Sequence, residues 1–298
     1  MRPTSLLLVL ITACRCGSDP SSVSAPLAPV DGPRLELADE LAQPARPILA
    51  LGWMRDVPVM GSRGSLAMGD RSFDAPAYLG APVSVAEGVV RAWPYELRDE
   101  TPTELPIPEG PAVHTGVWRR DAWWWLRGEA SSRELVTGER TWSVPGADVI
   151  AFDGERVVAA GHRVWLLEGE LRELTRPHYA IAAASVTEER VLALDANGQM
   201  VVWSVSDGSS TTLVAHLGAG RAMAVADGRL ATGGADGRVA VWRLADLPPT
   251  ERSAEPIAET TFAGPIDAMV WTPGERPTLT VAVTEGRRSR LVRLRLVE

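Results

Sequence analysis

Lysine is missing from the whole chain, so all 30 basic side chains among its 298 residues are arginines. Coding in a GC-rich genome accounts for such a bias, because a special use of guanidinium groups calls for paired carboxylate or phosphate partners. Positive charge is also the minority sign. Against 38 acidic residues the arginines leave a formal net charge of −8, which argues against nucleic acid, whose phosphates are held by clustered basic residues. Cysteine is nearly absent. Cys14 and Cys16 are the two, both near the start, and without a second ligand pair at zinc spacing a Cys-x-Cys metal site has no completion. His114, His162, His178 and His216 stand singly, the pattern of structural histidines. Phe and Tyr number three each against eleven tryptophans, which leaves Trp as the bulky core filler. No H-E-x-x-H, G-x-S-x-G or phosphate-binding loop occurs.

Long apolar runs are equally scarce. Leu6 to Ile11 follows Arg2 and is too short to span a bilayer, so residues 1–13 read as a targeting segment. It leads into Ile11-Thr12-Ala13-Cys14, which resembles the lipobox of bacterial lipoproteins. That resemblance implies cleavage before Cys14, lipidation of its thiol and anchoring to a membrane. Arg15 follows, where by family analogy Asp retains lipoproteins at the inner membrane, so the outer membrane is the expected destination. Residues 14–46 contain small residues and Pro20, Pro26, Pro29, Pro33 and Pro44 without periodicity, the composition of a tether. The remainder, 47–298, reads as a globular domain.

What that domain does have is tryptophan at near-constant spacing. Trp165, Trp203 and Trp242 each lie on an alternating apolar strand, 38 and 39 residues apart, close to the roughly 40 residues of a four-stranded propeller blade. Short apolar runs bounded by Gly, Asp, Asn and Pro, with little at helical spacing, make the domain all-β. The cleanest unit spans 214–244: three strands joined by Asp227-Gly228 and Asp236-Gly237, dipeptides suited to tight hairpins. Here the chain resembles the WD-repeat family, whose pattern of His, small hydroxyl residue, Asp and Trp falls on His216, Thr232, Asp236 and Trp242. The resemblance implies hydrogen bonds linking the four and locking the blade. The preceding unit repeats the turn-to-Trp offset with Asn197 and Trp203, and has His178 upstream. Residues 147–167 form a third unit around Trp165 with a shortened turn at Gly161-His162, and 261–296 a fourth, with Leu294 in the Trp register.

Earlier units fade. Trp53 and Trp93 are 40 residues apart, with Trp93 reading as third-strand, while Trp123, Trp124 and Trp125 fit either of two registers. The expected fold is thus an all-β propeller of four-stranded antiparallel blades, about six, with seven the alternative. The segment from Ile48 to Trp53 is the expected source of the outer strand that the last repeat lacks, which would close the ring and remove a sheet edge.

Specific chemistry is thin. Asp153, Asp195, Asp207, Asp227, Asp236 and Asp267 could pair as acids for glycoside hydrolysis, yet turn geometry explains most of them. The triple Trp could stack on a sugar, pack between blades or anchor a protein. Arg287, Arg288, Arg290, Arg293 and Arg295 form the one basic run, read as a solvated strand face, with acidic surfaces or lipid headgroups as the alternative. No catalytic residue, cofactor or metal ligand is assigned. The resulting expectation is a lipid-anchored, extracytoplasmic scaffold for protein partners. The alternatives are an envelope-assembly lipoprotein, since VLALDANGQMVVW also resembles repeats of quinone-dehydrogenase-type propellers, and a glycan- or small-molecule-binding propeller.

Overall fold

Asp227 and Gly228 both take positive φ, 47° and 72°, as a two-residue hairpin requires. They join Gly220–Ala226 to Arg229–Gly234, which continues through the Asp236-Gly237 turn into Arg238–Arg243 and then Ala258–Thr261. The product is a four-stranded antiparallel meander, and the computed structural model contains seven such sheets. It describes residues 32–298 apart from 43, 55–56, 87, 99–100, 107–108, 120, 139, 248–253, 273–277 and 298. The chain divides into two units, Met1–Gly32 and Pro33–Glu298. Residues 1–13, read as a targeting segment, and the lipobox-like Ile11-Thr12-Ala13-Cys14 lie outside the described residues.

We number the sheets as blades: blade 1 spans 48–74, blade 2 84–104, blade 3 113–143, blade 4 147–173, blade 5 181–214, blade 6 220–261 and blade 7 266–297. Seven is the higher of the two counts that the spacing allows. The first strands of neighbouring blades pack on one another in succession, and that of blade 7 returns to blade 1. They therefore form the inner ring. Each first strand runs from what we term the upper face to the lower face, so the interblade loops and the turns between second and third strands lie on the upper face.

The hydrophobic core lies between blades, because each sheet has two faces and neither can be left wet. Trp203 packs with Val158 and Leu166 of blade 4, and Trp242 with Leu192 and Leu194 of blade 5. Close approach is enforced at Gly233, where a Cβ would come within 2.5 Å of Ile266 and Met269 in blade 7. Any larger residue would push the two sheets apart.

The ring closes differently from the expectation. The fourth strand of blade 7 is Arg34–Ala42, paired antiparallel with Arg288–Val297, while Ile48–Met54 is the inner strand of blade 1. The closing strand thus lies within the stretch assigned to the tether, and the propeller begins near residue 34. Its acidic residues could be recognised only against their partner. Arg290 reaches Glu40 at 3.2 Å and Arg293 reaches Asp39 at 3.3 Å, so this part of the basic run faces an acidic strand of its own chain. Ile48 N donates to Ser289 Oγ at 3.0 Å within the same seam.

The register of the tryptophans is also revised. Trp203 pairs with Val191 and Trp242 with Leu230, equivalent positions at the start of the second strand. In blade 4 the equivalent partner of Val157 is Leu167, and Trp165 pairs with Ala159, two residues out of register. The shortened Gly161-His162 turn moved the register by about the amount that made the interval look regular. Leu294 does hold the Trp position, opposite Leu279. Trp93 sits in the turn between the second and third strands of blade 2 and Trp53 on a first strand, so their spacing carries no repeat.

Candidate interaction face

Six of the seven first strands bear a bulge at their second residue: Leu49, His114, Asp148, Ala182, Arg221 and Asp267. A bulge adds a residue that the ladder cannot pair, and so re-aims its side chain. Here it sets a ring of side chains at the upper mouth of the channel. Arg221 and Asp267 pair across blades 6 and 7. His114 Nε2 stands 3.7 Å from Asp148 Oδ1 across blades 3 and 4.

The buried Arg133 fixes that second pair. Its Nε donates to Ala147 O at 3.0 Å, its Nη1 to Gly128 O, and its Nη2 to Asp148 Oδ1 at 3.1 Å. One guanidinium thereby ties blade 3 to the bulge of blade 4. Burial, reinforced by the Arg133 charge and opposed by Asp148, lowers the pKa of His114. The imidazole is neutral at pH 7. Above it opens a cavity of about 660 Å³, with Leu79, Pro82, Trp93 and Val149 among its mostly apolar walls and Glu104, His114 and Asp148 as polar groups. A cavity of about 450 Å³ lies lower in the channel, by Val85, Trp118 and Phe152.

The loops around this mouth are unusually apolar. Leu217 is 94% exposed, Leu79 70% and Tyr179 47%, on the loops that precede the first strands of blades 6, 2 and 5. The lower face is built differently: Asp121, Glu155, Glu188, Glu189, Asp207, Asp227 and Asp246 are all exposed there. A cleft of about 1080 Å³ between the outer parts of blades 4 and 5 has charged walls of both signs, Arg156, Glu168, Arg172 and Glu189 among them.

The four residues of the clean repeat meet in two pairs. His216, 1% exposed, shares a 3.1 Å hydrogen bond between Nδ1 and Asp236 Oδ1, and Asp236 also accepts from Leu217 N at 2.9 Å and Arg238 N at 3.1 Å. Trp242 Nε1 donates to Thr232 Oγ1 at 3.1 Å, and Thr232 Oγ1 donates to Ala240 O at 3.4 Å. His216 Nε2 has no partner among the described residues, so the pairs remain unlinked. Burial lowers the pKa of His216, with Asp236 opposing. For Asp236 burial raises the pKa, but the two amides and His216 outweigh it and leave it low.

Blade 5 does not repeat the arrangement. Asn197 is exposed, and the turn is capped from two residues earlier by Asp195, whose Oδ1 accepts from Asn197 N at 2.8 Å and Gln199 N at 2.9 Å. Ala180 O bonds Ala196 N as Ala219 O bonds Ala235 N, a 39-residue shift that places Pro177 at the His216 position. His178 is exposed and hydrogen-bonds no described residue. Trp203 and Trp165 donate instead to backbone carbonyls, of Thr175 at 3.1 Å and Pro145 at 3.2 Å.

The remaining candidates separate. Trp123 to Trp125 lie on the second strand of blade 3. Trp123 and Trp125 meet Trp93 of blade 2 edge-on at 5.3 and 6.0 Å, while Trp124 stacks on Trp142 at 6.0 Å and meets Phe152 of blade 4. Strand alternation sends them to both neighbours as packing. The six aspartates spread over blades 4 to 7 and both faces. Among the described residues there is no group of three or more His, Cys, Asp or Glu fit for a metal ion, and no helix long and apolar enough to cross a membrane.

No protein-family model and no curated protein matches the chain. Among solved structures it is similar to the computationally designed Ika8 protein, at 13% identity and a TM-score of 0.57, over 85% of this chain and 98% of that one. The designed Ika4 protein aligns over 47% of this chain and 87% of its own, at 18% identity and a TM-score of 0.38. What the likeness to Ika8 conveys is the fold.

Proposed function

We propose that this protein is a lipid-anchored, extracytoplasmic scaffold, a WD-repeat-like propeller that binds a protein partner on its upper face and carries out no catalysis of its own. The observation behind the reading is the apolar surround of the channel mouth, Leu79, Tyr179 and Leu217, on loops held by a rigid ring. Exposed apolar side chains gathered on one face mark an interaction site, and a concave pocket beside them suits an anchoring side chain. The His216–Asp236 and Trp242–Thr232 bonds support the WD-repeat likeness of blade 6.

Affinity capture from native membranes, with partner identification by mass spectrometry, tests the reading. The double variant Tyr179→Ser, Leu217→Asp should reduce capture of the partner at least about tenfold, as loss of one central anchor does. Undiminished capture would assign the partner to another surface. The anchor is tested separately: Cys14→Ala should release the protein from membranes and remove the mass of the lipid.

A further inference from the structure

We infer that the upper edge of the seam between blades 7 and 1 seats on the anionic headgroups of a lipid bilayer. Four exposed arginines converge there. Arg46 lies in the loop that leads from the closing strand into blade 1, Arg63 in the second upper turn of blade 1, and Arg287 and Arg288 at the corresponding turn of blade 7. Hydrogen bonds to backbone carbonyls hold the three segments together. Arg46 Nη1 donates to Arg63 O at 3.2 Å, and Ser289 N, next to Arg288, donates to Pro44 O at 3.1 Å.

None of the four forms an ion pair with a described residue. The nearby carboxylates are engaged by another residue of the strand, with Arg290 contacting both Glu40 at 3.2 Å and Glu285 at 3.6 Å. Like charges gathered in excess of the counter-charge beside them repel one another, and an external anion relieves that repulsion. Leu49, 36% exposed and three residues beyond Arg46, adds an aliphatic side chain between this cluster and the channel mouth. Neither the 660 Å³ nor the 1080 Å³ cavity includes any of the four. Such a surface suits an extended anionic plane better than a single inserted side chain, and apolar contact flanked by basic residues is the composition that binds headgroups. The acids of the lower face would be repelled by the same plane, so only one orientation is favourable. Blade 4 lies opposite the seam in a ring of seven, so Tyr179, on the loop from blade 4 into blade 5, is left facing away from the membrane.

The inference stands apart from the lipid anchor, and the test keeps them apart by using the full-length chain bearing Cys14→Ala. Flotation with phosphatidylcholine vesicles containing phosphatidylglycerol should recover the protein at low salt, and pure phosphatidylcholine should recover far less. Arg287→Ala with Arg288→Ala should weaken partition about 30-fold, the equivalent of about 1 kcal/mol per arginine. Arg46→Ala with Arg63→Ala should do the same, whereas the lysine double variant of either pair should retain binding. Arg243→Ala, on the lower face, should have no effect. Equal recovery on both vesicle types, recovery on neither, or full binding by the alanine variants would overturn the inference. So would capture of an acidic protein through these arginines by a chain that ignores vesicles.

Discussion

Asp236 and Asn197 occupy the same place in their turns relative to the following Trp, and the structure uses them unequally. Asp236 satisfies two backbone amides and an imidazole, whereas the equivalent work in blade 5 passes to Asp195. Stranding buried donors costs on the order of 1–3 kcal/mol per group, although partly exposed ones cost less. Asp236→Ala and Asp195→Ala should therefore each lower stability by about 2–3 kcal/mol, read as a fall of about 5–10 °C in Tm. Asn197→Ala should stay within about 0.5 kcal/mol. A cost for Asn197→Ala equal to that of Asp236→Ala would contradict the pairing seen here.

His216 makes stability depend on pH. Its folded pKa lies below the ordinary value of 6.5, so the unfolded chain binds more protons as pH falls below that value. Folding should thus be insensitive to pH between about 7 and 9 and should weaken as pH falls through about 6.5, with further loss once Asp236, whose pKa is low, is protonated. His114, lowered in the same direction, adds to the first step. Chemical denaturation at a series of pH values checks this, and His216→Gln should flatten part of the slope between pH 7 and 5.

The element that decides whether the ring exists is the closing strand. Its ion pairs are partly exposed and contribute about 0–1 kcal/mol each, so they select the pairing more than they stabilise it. The larger contribution is the ladder with Arg288–Val297 and the burial of Leu35 against the core between blades 6 and 7. Raised salt should consequently have little effect on Tm, whereas deletion of residues 34–42 should lower it by more than about 10 °C and promote aggregation through the exposed edge of blade 7. A deletion variant as stable and monomeric as the intact chain would show that the seam is held elsewhere. The strand escaped detection because its alternation, in Arg34 to Ala42, is interrupted by bulges at Leu37 to Asp39 and Glu40 to Ala42. Its proline-rich flanks look like tether. The first three strands of blade 6, by contrast, were legible almost to the residue, since two Asp-Gly turns delimit them, whereas its fourth strand, Ala258–Thr261, lies beyond the unit read as 214–244.

At the scale of the molecule, the two faces of the disc differ in kind. Acids collect at the lower turns, while apolar loops and arginines without an ion pair among the described residues occupy the upper ones, which a net charge of −8 conceals. The arginine edge lies at the seam of blades 7 and 1, whereas Tyr179 and Leu217 lie on the loops that lead into blades 5 and 6, so substitutions at the two places should act independently. Tyr179→Ser with Leu217→Asp should leave vesicle partition unchanged, and Arg287→Ala with Arg288→Ala should leave partner capture unchanged.

Local sequence was sufficient for what depends on neighbours in the chain: the all-β class, the hairpins at Asp227-Gly228 and Asp236-Gly237, the four-stranded unit and the register of Trp203, Trp242 and Leu294. Strand alternation and turn chemistry act over a few residues, so a linear reading captures them. Tertiary structure alone decided which strand closes the ring, that Asp195 rather than Asn197 caps its turn, and that Trp165 stands out of register. It also decided that Arg133 binds two blades and that Arg46, Arg63, Arg287 and Arg288 share one edge. The closing strand and the arginine edge join segments far apart in sequence, and only the closed ring brings them within the few ångströms over which hydrogen bonds and charges act; the Asp195 cap, the Trp165 register and the Arg133 clamp are more local, but they are set by backbone geometry that the pattern of residue types does not specify.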